Sequence, residues 1–287
     1  MLGLGTGFYS MSKSGAGFNE SIIVEMAPRA ALFIPSGKSD FGYGTDKAPG
    51  VLLPDPLQGI IRTSFTFCCW MMIPGGTTPA NGDITLLGST GNSQDTFKLG
   101  LVDSKPYINM TQGANSFEQT TDLAVEFISN TGWVHIAFVV TDAGGSHNTT
   151  VVIYVNGSAV ALATADTTIT GDQQEAIATT NNMGLGNMSN ANNFEQATSN
   201  FPHLGLSEAA LFTSALDAAN IAAIYGFGTA IRDGGAGADL TSASGDYDTQ
   251  GDLAGYWKLN VPARITAIDS TSAADYPGTL KGQAIIF

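Results

Sequence analysis

The chain has 287 residues, 43% hydrophobic and only 13% charged, with a net charge of −14. That is enough apolar material for one large sandwich or two modest domains. The 11 basic residues against 25 acidic ones exclude the basic footprint that nucleic acids and anionic membranes require, and the acidity reads as solubility.

Residues 1–28 are Gly/Ser-rich and lack periodicity, which predicts an N-terminal arm that cannot build a core of its own. The opening has no basic stretch followed by an apolar core, so no signal peptide is predicted. From "AALFIPSGKSDFGYG" onward the chain turns β-like. The segment "SFTFCCWMMI", Ser64 to Ile73, is the longest apolar run and far too short for a membrane span. Phe65, Phe67, Cys69 and Met71 fall on one side of it, Thr66, Cys68, Trp70 and Met72 on the other. A lone sandwich has no need of an apolar outer face, so this strand is expected to meet a neighbouring subunit, as is the arm. Cys68 and Cys69 are adjacent and point to opposite faces, which makes a bridge between them unlikely and a disulfide scaffold inapplicable.

"DITLLGS", "TFKLGLVD" and "KPYINMTQ" read as short strands at sandwich spacing. In "GWVHIAFVV", Trp133, His135, Ala137 and Val139 share one face, and Val134, Ile136, Phe138 and Val140 the other. "VVIYV" follows after the polar loop "TDAGGSHNTT", and Asn156-Gly157 is a strong two-residue hairpin signal. Three antiparallel strands are expected here, as scaffold, with the loop alone free to carry function. One helical pattern stands out, near 214–225, with Leu216, Ile221, Ile224 and Tyr225 on one side. Ser214 or Asp217 can cap it and Gly226 can stop it. Residues 232–252 are a loop by composition, and the remainder returns to strand character. One short helix among many strands argues an all-β sandwich.

Four pieces of this pattern resemble the laminin-G-like, concanavalin-type jelly roll: "SFTFCCWM", "GWVHIAFVV…VVIYVNG", "LGLSEAALFTSALDAANIAAIY" and "AGYWKLN…DST…GTLKGQAIIF". Ser207-Glu208 stands where that family usually has Asp-Glu. The resemblance implies a single jelly-roll domain over 29–287, made of antiparallel strands with the one short helix. Its "YW.L…DS…GtL" piece usually opens such a domain but closes this chain. The strands of 253–287 are therefore read as permuted, with a vestigial second repeat as the alternative; termini that meet at one end of a sandwich make permutation physically cheap. The family also places His135 at its usual strand histidine, with a core or hydrogen-bonding role, and Trp133 and Trp257 at packing positions. Trp70 is left open to a partner. "MLGLGTGF" at the start resembles openings of bacteriophage structural proteins.

Glycosidases on this fold use paired carboxylates. Their E-x-D-x-x-E motif is absent, since no glutamate has an aspartate two residues later. There is no G-x-S-x-G elbow, H-E-x-x-H helix or Walker loop either. The histidines His135, His147 and His203 are not paired by spacing, and no catalytic residue is assigned. "DYDTQGD" sets Asp246, Asp248 and Asp252 at offsets 1, 3 and 7 with Gly251 at 6, as a calcium loop would. Gln250 at offset 5 and Trp257 at offset 12 break that pattern, so a solvated loop is preferred and calcium stays the one cofactor candidate. Asp83, Asp95, Asp103 and Asp142 are further loop acids that a rim site could use. N-x-[ST] triplets begin at Asn19, Asn109, Asn148, Asn156 and Asn187 and reflect composition.

Fold does not fix function. The expectation is a non-enzymatic virion structural protein: a capsid decoration, tail or fibre component, homo-oligomeric, in contact with other virion proteins and assembled in a bacterial cytoplasm. The alternative is a carbohydrate-binding module that holds a host-surface glycan. A glycan-active enzyme ranks last.

Overall fold

Alternating apolar residues drive most of the chain into antiparallel strands. A computed structural model describes residues 32–34, 50–54, 57–73, 83–90, 96–112, 115–122, 133–142, 149–163, 182–187, 189–190, 193–194, 204–232, 239–259, 266–267, 269, 271, 277–281 and 285–286. In chain order the elements are β1 (Leu32–Ile34), β2 (Gly50–Leu53), the single turn α1 (Leu57–Ile60), β3 (Phe65–Met72), β4 (Asp83–Thr90), β5 (Thr96–Val102) and β6 (Lys105–Gln112). They continue with β7 (Asn115–Thr120), β8 (Val134–Thr141), β9 (Thr150–Val155), β10 (Ser158–Val160), β11 (Met183–Leu185), β12 (Ser189–Asn190), β13 (Asn193–Phe194) and β14 (Leu204–Phe212). The helix α2 (Ala218–Arg232) precedes β15 (Leu253–Trp257), β16 (Thr266–Ala267), β17 (Gly278–Lys281) and β18 (Ile285–Ile286).

Two sheets result. The first runs β10-β9-β8-β3-β14-β1-β18, with β15 pairing the far half of β14. The second runs β16-β17-β2-β11-β4-β5-β6-β7, with the β12–β13 pair beside β4. The fold is the concanavalin-like jelly roll. The segment from 253 onward joins both sheets, through β15 on β14, β17 on β2 and β18 on β1. At one margin the two sheets are stitched by backbone alone: Thr121 bridges Leu162, Asp122 N donates to Ala161 O at 3.1 Å, and Ala163 N donates to Thr120 O at 2.8 Å.

The inner faces form one core. Phe65, Phe67, Cys69 and Met71 of β3 and Val134, Ile136, Phe138 and Val140 of β8 meet Phe97, Leu99 and Leu101 of β5 and Ile108 and Met110 of β6. The outer face of the first sheet is buried as well. Cys68, Ala137, Val139, Tyr154, Ala210, Phe212 and, on β15, Tyr256 lie under Leu216, Ile221 and Ile224 at and before α2, and under Leu240 and Tyr247. The both-sided apolarity of Ser64–Ile73 is thus met within the chain, and the argument from it to a neighbouring subunit falls. The proposed arm, residues 1–28, lies outside the described residues.

The helix is longer than its sequence pattern predicts. It starts at Ala218 and runs through Gly226 to Arg232. The cap is Asp217, whose Oδ1 accepts from the Asn220 N–H at 2.9 Å. Ser214 instead donates to Asp252 Oδ2 at 2.6 Å. Gly226 does not stop the helix because packing outweighs propensity, which costs only about 1 kcal/mol for a glycine.

Trp257 is wholly buried and its ring folds back over Gly255. A methyl added at Gly255 would stand 2.5 Å from Trp257 Cη2 and 2.9 Å from Cζ2. Gly255→Ala should therefore lower the unfolding free energy by about 1–3 kcal/mol. A denaturant melt with an unchanged midpoint would show that the ring does not lie there.

Candidate binding face

The outer face of the second sheet is buried over β4 and β5, at Thr85, Gly88 and Gly100, and opens along β6, where Tyr107, Asn109 and Thr111 are half-buried. On the second sheet Phe97, Leu99 and Leu101 of β5 point inward, so Thr96, Lys98 and Gly100 point out. Asp103 and Ser104, at φ 50° and 67°, make the two-residue turn that fixes the β5–β6 register. That register sets Lys98 opposite Asn109, Gly100 opposite Tyr107 and Thr96 opposite Thr111. Gly88 and Gly184, paired with each other, continue the same face.

The row on β6 is organised by its own side chains. Asn109 Nδ2 donates to the Tyr107 hydroxyl at 3.0 Å, and Thr111 Oγ1 donates to Asn109 Oδ1 at 2.9 Å. Lys98 Nζ stands 5.6 Å from the Tyr107 ring centroid, within cation–π range. Tyr107, Asn109 and Thr111 are half-buried, while Lys98 keeps only 6% exposure. Beside this row the floor is low. Thr85 lays its methyl over Gly88, and Gly100 lets the bulged Ile84 carbonyl come close. The result is an aromatic ring, an amide, hydroxyls and one ammonium along a shallow sheet face. Such a set can bond to hydroxyls and stack on an apolar ring. Sequence reading placed these residues on strands without singling them out; the strict alternation in "TFKLGLV" and "KPYINMT" was the signal.

The sequence-derived candidates do not come together. Asp246 is exposed in a tight turn with Gly245 at φ 59°. Asp248 Oδ1 accepts from Asn220 Nδ2 at 3.3 Å, and Asp252 Oδ2 is taken by Ser214. Asn220, itself buried, ties the loop to the helix: its Oδ1 accepts from Asp248 N at 3.2 Å and Thr249 Oγ1 at 3.0 Å, and its Nδ2 also reaches Asp217 Oδ1 at 3.0 Å. Asp248 and Thr249 thus dock the loop on α2, Asp252 holds the turn before it, and the Asp246 side chain faces solvent. Among the described residues no three His, Cys, Asp or Glu side chains gather closely enough to hold a metal. Asp103 occupies the β5–β6 turn and Asp83 begins β4; Asp142 bonds Ser64 through its backbone, with Asp142 N donating to Ser64 Oγ at 2.9 Å. Asp95, His147 and His203 lie outside the described residues.

Of the two roles expected for His135, core packing and hydrogen bonding, the buried ring has the first and not the second. Both ring nitrogens are buried without a partner, and burial pushes its pKa down to about 3. It sits 5.4 Å from Trp70 and 6.0 Å from Tyr225 between ring centroids. Trp70, left open to a partner, is covered by this chain's own Tyr225, stacked at 5.6 Å and 18°. Trp133 is half-buried against Gly205, with Nε1 unpartnered. The thiol of Cys68 is pushed up to about 12 by burial and then by the Glu208 charge, so it is unreactive.

A second polar cluster went unread in the sequence. Glu208 sits in a β14 bulge at φ 51°, and its carboxylate accepts from the Tyr256 hydroxyl. Lys258 Nζ pairs with Asp239 Oδ2 at 2.5 Å and lies 5.4 Å from the Tyr256 ring centroid. Asp269, buried, accepts from the Tyr256 and Thr271 N–H groups, each at 3.0 Å. Every member has a partner within the cluster, which makes it a latch for β15.

Residues 45–222 match the family model described as the concanavalin A-like lectin/glucanases superfamily. No curated protein matches the chain. Among solved structures, a Bacteroides ovatus protein assigned to carbohydrate binding shares 15% identity at a TM-score of 0.48, over 91% of this chain and 60% of that one. The CBM40 domain of the Ruminococcus gnavus IT-sialidase, bound to α2,3-sialyllactose, shares 12% at 0.40, over 68% of this chain and 98% of that one. A heptameric SAP-like pentraxin of Limulus polyphemus shares 14% at 0.42, over 70% and 83%. The chain thus spans 60% of the first structure's length. At such identities and scores none of them speaks to this chain's ligand, and none supports a virus particle.

If the Asp248 loop is a helix anchor, Asn220→Ala should cost about 1–3 kcal/mol, since it leaves the groups it now satisfies unpaired. Added calcium or chelator should leave the melting temperature of the unaltered chain where it is. A calcium-dependent rise that vanishes in Asp246→Ala plus Asp248→Ala would restore the metal site.

Proposed function

We propose a function from one premise: the chain belongs to the concanavalin A-like lectin/glucanases superfamily. Of the two roles in that description, the residues favour binding. The chain is a non-catalytic domain that holds a carbohydrate across the outer face of its second sheet. The observation that carries this is the Tyr107–Asn109–Thr111 row with Lys98 over the ring. A sugar offers hydroxyls to the amide, hydroxyls and ammonium, and an apolar C–H face to the tyrosine. The sequence lacks the E-x-D-x-x-E spacing of glycosidases on such folds, and among the described residues Glu208 and Asp239 are each engaged, by Tyr256 and Lys258.

The virion reading rests on the opening "MLGLGTGF", outside the described residues, and on the expected arm. It is compatible with a glycan-binding face, since a particle can carry one.

A glycan array probed with the full chain should give binding, and Tyr107→Ala should weaken it at least about tenfold, roughly 1.4 kcal/mol, without lowering the melting temperature. Binding that survives Tyr107→Ala and Asn109→Ala together would place the ligand elsewhere. An array with no binding would count against carbohydrate altogether, and turnover of any bound glycan would overturn the non-catalytic part.

A further inference from the structure

The helix α2 is fastened by hydrogen bonds at its start and by ring contacts at Tyr225 and Phe227. Before its first turn, the buried Thr66 Oγ1 donates to Ser214 O at 2.8 Å and accepts from Leu216 N at 2.9 Å. The Asn220 network adds to this. Farther along, Tyr225 stacks on Trp70 and its ring sits over Gly157, where a methyl would stand 2.9 Å from Tyr225 Cδ1. Phe227 meets Tyr247 edge-on at 5.9 Å. Gly226 lies between these two aromatics and is exposed. Beneath Tyr225 is His135, 1% exposed, with both nitrogens unpartnered.

We propose that protonation of His135 releases the C-terminal half of α2, from about Tyr225 onward, in mild acid, opening the Trp70 face while both sheets stay paired. A neutral imidazole with no partner already forfeits its hydrogen bonds. An imidazolium there would have two donors and no acceptor.

The surrounding elements offer little to compensate. β3 brings Trp70 and the thiol of Cys68, β9 the phenol of Tyr154, β15 that of Tyr256, and α2 that of Tyr225. The β9–β10 turn brings Asn156, whose Oδ1 accepts from the His135 backbone N–H and not from its ring. The described carboxylates of this layer are engaged elsewhere or exposed: Glu208 bonds Tyr256, Asp217 and Asp248 bond Asn220, Asp239 pairs with Lys258, Asp252 bonds Ser214, and Asp246 is exposed. Attraction to the flanking rings is the remaining compensation, and both rings meet the imidazole tilted, at 53° and 47°. Burial is the sole cause that pushes His135 down to about 3. Undocked, the ring regains an ordinary value near 6.5. The docked state is therefore fully favoured above about pH 6.5 and loses ground progressively as pH falls toward 3.

The test is amide hydrogen exchange of the full chain at pH 7 and 4.5, corrected for intrinsic rates. Helix amides after Tyr225 should lose protection on the order of a hundredfold, tenfold per pH unit below 6.5, while β3 and β8 amides keep theirs. His135→Phe should abolish the change. Unchanged helix protection at pH 4.5, equal loss in His135→Phe, or loss shared by β3 and β8 would each overturn the proposal. If His135→Phe does not fold, an NMR titration of the imidazole decides. A ring that protonates only as the helix amides open supports release, and a ring protonated near 6.5 under a docked helix refutes it.

Discussion

At its centre, on β3 and β8, the first sheet has no face that water can wet; toward β9 and β10 its outer face opens. All eight residues of β3 are buried, and its two sides feed two separate clusters. A strand of that kind cannot sit in a plain two-layer sandwich, because its outer row would cost about 1.5–3 kcal/mol per large side chain left exposed. The chain therefore needs a third layer, and the turn before α2, α2 itself and the loop of residues 239–252 supply it. Thr66 shows how closely the two are joined. Its buried hydroxyl, at the start of β3, fixes the turn that leads into α2. The cover is positioned by the strand that it covers.

Much of this architecture was legible in order of residues. The β4, β5 and β6 strands, the β8–β9–β10 meander and the Asn156-Gly157 turn follow from period-two alternation and turn chemistry. Both-sided apolarity at Ser64–Ile73 was equally plain, but its partner was not. Alternation says that a face is buried, never by what. Tyr225 and Trp70 are 155 residues apart in sequence and meet only through the fold. The helix end was misjudged for a related reason, since Gly226 is a local signal and Phe227 on Tyr247 is a distant one.

The candidate face was less legible than the scaffold. Polar residues on strands look alike in sequence whether they form a connected row or point separately into water. Tyr107, Asn109 and Thr111 become a row because the β5–β6 turn fixes their register and their spacing of two keeps them on one side. The aspartates of "DYDTQGD" are the opposite case. Their spacing suggested an ion, yet Asn220 takes up Asp248 and Thr249 from a helix some thirty residues earlier. Offsets within a loop carry no information about a side chain arriving from elsewhere.

The backbone stitch between Thr120–Asp122 and Ala161–Ala163 has a consequence for solubility. The β7 and β10 strands are the outermost members of their sheets on that side, and outermost strands are where a foreign strand can add and start a polymer. Here the amides of Asp122 and Ala163 are already donated across the seam, to Ala161 and Thr120. A growing fibril would have to break the molecule's own closure before it could dock at this margin. The net charge of −14 already keeps copies apart by repulsion, and the closed seam adds a local, geometric protection at this margin.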